Sequence, residues 1–183
     1  LAIGEWMTGL ECGRKTMRGT LSRNPNRLKL IATKLAVAML ATTALTVIAT
    51  VVAAPLLALA ASGSDSGIPV GDTLRFGLGM LMTNFVYTMV GFSLGLATRS
   101  MAGGMTIALA FFFVFDGALK AIPKAGDFML SSVNVEIFQK IVGTELAGTD
   151  VEVHLVQAIL VSAVWVAAFV GLSSFRFLRS DID

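Results

Sequence analysis

The sequence predicts an all-α protein, a polytopic membrane helix bundle with four transmembrane helices, and three observations predict it. Mean hydropathy is +0.80, and 55% of residues are apolar against 14% charged, far from the balance of an ordinary soluble domain. The charges gather in a few short stretches between long uncharged runs, whereas a solvated surface needs them interspersed. The runs themselves are continuously apolar rather than alternating, which favours helices over barrel strands, because a lipid-embedded helix satisfies its own backbone polar groups.

About 20 residues at roughly 1.5 Å rise cross a hydrocarbon core of about 30 Å. After Lys34 no charge appears until Asp65, so the first span is placed at about 35–61. The second uncharged run gives a span at 76–98. The third run ends at Phe115 and extends to about 122 with Asp116 and Lys120 near its far end, a span at 101–122. The fourth, 154–175, holds Trp165 and is closed by Arg176 and Arg179, a basic stop suited to a water interface. The chain thus divides into a cytoplasmic segment, 1–34, and a transmembrane domain, 35–183, with an extracellular element at about 123–153. Pro55 removes one backbone donor from the first span, and Ala49, Ala53, Gly91, Gly95, Gly103 and Gly104 permit close helix approach. The Gly91 to Gly95 spacing is read as packing.

Basic residues set the orientation. Arg14, Lys15, Arg18, Arg23, Arg27, Lys29 and Lys34 precede the first span, Arg99 lies between the second and third, and Arg176 and Arg179 follow the fourth, all on one side. The other side receives Arg75, Lys120, Lys124 and Lys140 with most of the acids, so both ends are expected in the cytoplasm of a bacterial plasma membrane. The amino-terminal basic cluster lacks interleaved aromatics, which argues for lipid headgroups and against a nucleic-acid partner.

Little points to chemistry. Cys12 is the sole cysteine and His154 the sole histidine, so no internal disulfide and no metal or other cofactor site is expected. There is no phosphate-binding glycine loop, dinucleotide fingerprint, nucleophile elbow or metalloprotease pattern, and an autonomous enzyme with catalytic residues is not expected.

Polar residues inside the apolar runs are the remaining candidates. Asn84, Tyr87 and Thr88 in the second span, with Thr42, Thr43, Thr46 and Thr50 in the first, either line a pathway or bond between helices. Asp116 is either a polar point on a path or the wet end of the third span, paired with Lys120 at i+4. Asn84, Tyr87 and Asp116 are the candidate path-lining residues. Between the third and fourth spans Val133, Ile137, Phe138, Ile141 and Val142 recur at helical spacing, with Glu136, Gln139 and Lys140 on the other side, which predicts an interfacial helix.

The first 34 residues read as a cytoplasmic helix feeding the membrane, with an amphipathic stretch at 11–21 and a break at Asn24-Pro25. The run from Glu11 to Arg27, followed by Lys34, resembles the E-x-x-x-G-T-x-R-x-x-L-x-x-P-x-x-R…K segment of type-2 ABC transporter permeases, with imperfect spacing. Glu11, Thr16, Arg18, Leu21, Pro25, Arg27 and Lys34 match, and Lys15 stands where the family often has Gly. Phe175-Arg176-Phe177-Leu178-Arg179-Ser180-Asp181-Ile182 resembles the F-x-x-R-D-[IV] tail that closes these permeases, with Ser180 interposed.

The resemblance covers nearly the whole chain as the last four of six family helices, and implies two further helices ahead of it in a full permease. It implies that 11–21 is a coupling helix docked in a groove of a separate ABC ATP-binding subunit, with Glu11, Thr16, Arg18 and Leu21 as the coupling contacts. It also implies a second permease copy as partner, ATP bound by the partner subunit alone, and a job of mechanical transmission in an exporter. Two other classes remain: an ATP-independent carrier or channel, and a non-transporting membrane anchor or immunity protein.

Overall fold

The computed structural model describes residues 2–5, 27–61, 70–122, 125–143 and 155–179. Among these there is no strand; a helical turn at 2–5 is followed by six α-helices, one π-helical segment and one 3-10 turn. Four helices are long and apolar enough to cross a membrane, at Lys29–Leu56, Gly71–Thr98, Met101–Lys120 and Leu155–Arg176. The architecture is the expected all-α bundle.

Helix α1, Arg27–Ala61, starts eight residues before the uncharged run and continues through Pro55. Its threonines are β-branched and polar, yet each hydroxyl is satisfied within the helix. Thr33, Thr42, Thr43, Thr46 and Thr50 donate to the carbonyl four residues back at 2.8–2.9 Å, which lets a hydroxyl stand in lipid without a bare donor. Helix α2, Val70–Thr98, begins six residues earlier than the sequence reading. Its first turns carry Asp72, favourable at a helix N-terminus, paired with Arg75 at 3.9 Å.

Only two residues join α2 to α3, Met101–Ala110. Arg99 takes the left-handed conformation with φ 55° that usually falls to glycine at a helix end, and its N–H reaches the Gly95 carbonyl at 3.0 Å. Ser100 then caps α3 by accepting from the Gly103 N–H. The span continues through the π-helical segment Phe111–Asp116 into α4, Gly117–Lys120. After the 3-10 turn Gly126–Phe128, helix α5, Leu130–Val142, ends in Gly143 at φ 76°, and α6, Leu155–Arg179, completes the bundle.

Helix α2 is the centre: it packs against α6, α1, α5 and α3, and α5 also lies on α6. Its spanning window is 44% buried, against 17%, 17% and 11% for the other three, so the other spans leave most of their surface uncovered by the described residues. Leu40, Val51, Phe113, Val156, Val164 and Leu172 are among the large apolar side chains left outside. On α2, Val90 and Leu94 meet Ala108 of α3, Leu130 of α5, and Trp165 and Phe169 of α6. Phe92 and Leu96, on another face, meet Ile31, Leu35 and Ala38 of α1. Glycines set how closely neighbours approach. A Cβ on Gly104 would lie 3.2 Å from the Gly95 backbone N, and one on Gly4 would strike the backbone of Thr88 and Phe92. The Gly91–Gly95 spacing is thus a packing seam, touched by the turn at 2–5 near Gly91 and by α3 at Gly95.

One expectation is corrected. A helix is present there as α5, but Glu136 does not share a wet face with Lys140; it is 4% exposed. The reason is that α5 lies between α2 and α6, with Val133 and Ile137 against Ala158 and Val161 and Phe138 edge-on to Phe76. Little of its circumference is wet, and Lys140 reaches Glu136 at 3.7 Å from the exposed side.

The α2–α3 crossing yields a direct test. Because the atoms facing Gly104 are backbone and cannot rotate away, Gly104→Val is expected to lower unfolding stability by about 1–3 kcal/mol. Gly117→Ala, which meets nothing within 4 Å, is expected to leave stability unchanged or raise it by about 0.5 kcal/mol. Denaturation of the detergent-solubilised protein, followed by circular dichroism, measures both.

Candidate functional site

Two polar features stand out in the apolar bundle. The first is a seam between α1 and α2. The Thr42 hydroxyl, whose hydrogen goes to Ala38, receives the Thr88 hydroxyl at 3.0 Å, and the Thr46 oxygen receives the Asn84 amide at 3.0 Å. Thr42 and Asn84 sit at the middle of their spans, so these bonds lie near the bilayer midplane, where an unbonded polar group is costly.

The seam borders a cavity of about 360 Å³, lined by the polar Thr42, Thr46, Thr50, Asn84 and Thr88 and by the apolar Leu45, Ala49, Ala53, Phe76 and Met80. Ile3 closes part of it. Among the described residues, no charged one lines it. The hydroxyl hydrogens of Thr42, Thr46 and Thr50 are spent on backbone carbonyls and that of Thr88 on Thr42. What the threonines offer to the cavity is therefore oxygen lone pairs, together with the Asn84 amide.

The second feature is Asp116, at the end of the π-helical segment and 2% exposed. A π turn holds one more residue than an α turn, so it rotates everything after it by about 100°. Phe111, at its start, fixes the wider turn by packing on Phe112, Phe115, Trp165 and Phe169 at centroid separations of 5.3–5.5 Å. Asp116 is thereby aimed at the start of α5. Helix α5 has no side-chain cap of its own, its N-cap position being Met129. Asp116 accepts from the backbone N–H of Ser131, the second residue of α5, at 3.4 Å, and from the Ser131 hydroxyl. An N-terminal donor left over by the helix is thus met by a carboxylate from another helix, where the helix dipole favours negative charge. Lys120 pairs with the same carboxylate at 3.4 Å, and Trp165 donates to the Phe128 carbonyl at 2.9 Å just ahead of α5.

The three candidate path-lining residues do not share one cavity. Asn84 faces α1 in the cleft, Tyr87 packs edge-on to Phe112 at 5.2 Å and within electrostatic reach of Asp116, and Asp116 underlies α5. The pairing of Asp116 with Lys120 is seen, with the carboxylate buried rather than wet. Of the α1 threonines, Thr42 and Thr46 bond between helices, and Thr42, Thr46 and Thr50 border the cavity. Glu11, Cys12, Thr16, Arg18, Leu21 and His154 lie outside the described residues. Among the described residues no three His, Cys, Asp or Glu side chains are grouped to hold a metal.

Two residues that the sequence reading passed over belong to this picture. Ser131 is one, although Ser131-Ser132 just ahead of an apolar periodic run carries a helix-start signal. Glu5 is the other: it is fully buried beside Gly4, and burial pushes its carboxyl above the ordinary value of 4.5. Comparison with known proteins adds no relative: no protein-family model, curated protein or solved structure matches the chain.

The cap from Asp116 should be worth about 0.5–2 kcal/mol to the first turn of α5, more than the half-exposed pair with Lys120, which is worth at most about 1 kcal/mol. Hydrogen exchange at residues 130–134 checks this ranking. Asp116→Leu is expected to raise exchange there about tenfold, and Asp116→Asn less because it keeps an acceptor. Lys120→Ala is expected to change it little.

Proposed function

We propose that this chain is the membrane-spanning subunit of an ATP-driven ABC exporter, which carries motion from a separate ATP-binding subunit to a translocation path. The observation that carries this reading is the position of α1. The segment resembling a coupling helix, with Glu11, Thr16, Arg18 and Leu21, leads in sequence directly into α1, and α1 forms one wall of the mid-membrane cleft. Movement of α1 against α2 necessarily changes that cleft. Force applied by a partner at 11–21 then acts on the path with no further transmitting element.

Three features support the reading. The tail from Phe175 to Ile182 follows the last span, as in the type-2 permeases it resembles. An even number of spans puts both ends on one side, the cytoplasmic side by the distribution of basic residues. The α1–α2 joint is held by few polar bonds, and bonds of this kind average only about 0.6 kcal/mol within a bilayer, a strength that a nucleotide-driven partner can overcome. In this reading a second permease copy completes the path, the plasma membrane is the site of action, and ATP is bound and hydrolysed by the partner. A carrier that works without ATP is the second reading, favoured by the buried Asp116 and its Lys120 partner at the far end of the third span.

Association decides between them. The detergent-solubilised chain is expected to co-purify with an ABC ATP-binding subunit, and Glu11→Ala combined with Arg18→Ala is expected to lose at least about tenfold of the bound partner, the two substitutions lying outside the membrane spans. Retention of the partner by the double variant would assign the docking to another surface. Failure of any such subunit to associate, with activity that persists in its absence, would move the carrier reading ahead.

A further inference from the structure

We propose that the cleft between α1 and α2 binds an uncharged amphiphile whose polar group supplies hydrogen-bond donors, of the chemical class of a hydroxyl-headed, single-chain lipid such as a monoacylglycerol. The inference deepens the exporter reading and rests on this cleft being part of its path.

Charge is the first argument. The cavity lies between the middles of two spans and, among the described residues, no ionisable side chain lines it, so a charged headgroup drawn there would lose its hydration with no counter-charge in that lining. Hydrogen-bond polarity is the second. The hydroxyl hydrogens of Thr42, Thr46, Thr50 and Thr88 are already committed, which leaves oxygen lone pairs along one wall and the Asn84 amide among them. A ligand with acceptors alone meets few donors in the cleft, whereas a hydroxyl head both donates to the threonine oxygens and accepts from the amide. Shape is the third. Along the same helix faces as the polar residues stand Leu45, Phe76 and Met80, themselves 53%, 37% and 37% exposed. The apolar lining thus continues onto the lipid-facing surface, so that a chain can extend from the cleft into the bilayer. Polar group inside and chain outside is the arrangement that an amphiphile satisfies and a wholly apolar or wholly polar solute does not.

Photolabelling of the full chain in phosphatidylcholine vesicles tests the proposal. The probe is a 1-monoacylglycerol with a diazirine in its chain, used beside the same chain headed by a carboxylate at pH 8 and by a quaternary ammonium. The monoacylglycerol is expected to label residues 42–53 and 76–88 at least about tenfold more than either charged probe. Leu45→Trp, which fills the cleft without touching its bonds, is expected to abolish the labelling. Thr50→Val is expected to lower it about threefold to fivefold; it removes a hydroxyl that bonds only within its own helix, so the α1–α2 bonds and the fold stay in place. Equal labelling by all three probes, or labelling unchanged by Leu45→Trp, would overturn the proposal. So would efficient cross-linking between two copies through Ala49→Cys in a Cys12→Ser background, since another chain would then occupy the cleft. No ATP-binding subunit is present in the assay, so its result stands apart from the association test.

Discussion

Lipid tails are as apolar as leucine, so burying apolar side chains against one another does little to hold membrane helices together; close backbone packing and bonds between polar groups must do it. Helix α2 supplies both. Gly95 lets α3 come within van der Waals reach of its backbone, the stretch around Gly91 receives the turn at 2–5, and Thr88 and Asn84 offer hydroxyl and amide to α1. Because α2 touches α1, α3, α5 and α6, the position of every other element is set relative to it. Its amino-terminal end is held by Phe138 of α5, which lies against Phe76 and against Gly79.

The same constraint explains how the two sides of α2 differ. On the α3, α5 and α6 side, Val90 and Leu94 sit in a large apolar cluster reinforced by Trp165 and Phe169, and the π-helical segment is stacked into that cluster through Phe111. On the α1 side the contact is an apolar cluster near the basic end, then two polar bonds beside the cavity, then a close approach of Thr50 to Gly77. The cleft lies on the α1 side, and the segment that resembles a coupling helix precedes α1 in sequence.

Much of this was legible in the residues because hydrophobicity in a bilayer is a one-dimensional signal: a run of uncharged residues is a span, and its length fixes a helix. Asn84 and the α1 threonines stood out for the same reason, being polar where polarity is expensive. What the sequence did not disclose depends on rotation about helix axes. The α2 start is one case, since Asp72 and Arg75 read as loop until their pairing within a helical turn is seen. Asp116 is the sharper one. An α-helical register carried through Phe111–Phe115 gives the wrong direction for every later side chain by about a third of a turn, and no residue in FFFVFD marks the extra residue of the π turn. Glu136 read as wet because its helix was expected to lie at the membrane surface, when it is in fact wedged between α2 and α6.

The central claim is that α1 and α2 meet at mid-membrane through hydroxyl and amide bonds, so the most direct measurement is a disulfide across that joint. Thr42 and Thr88 place their hydroxyl oxygens 3.0 Å apart, a separation that two cysteine sulfurs close readily. In intact membranes and a Cys12→Ser background, Thr42→Cys with Thr88→Cys is expected to form an intramolecular disulfide under mild oxidant, whereas Leu40→Cys, on the lipid-facing side of α1, with Thr88→Cys is expected to form none. A Thr42–Thr88 pair that fails to cross-link, or that links only one chain to another, would contradict the account.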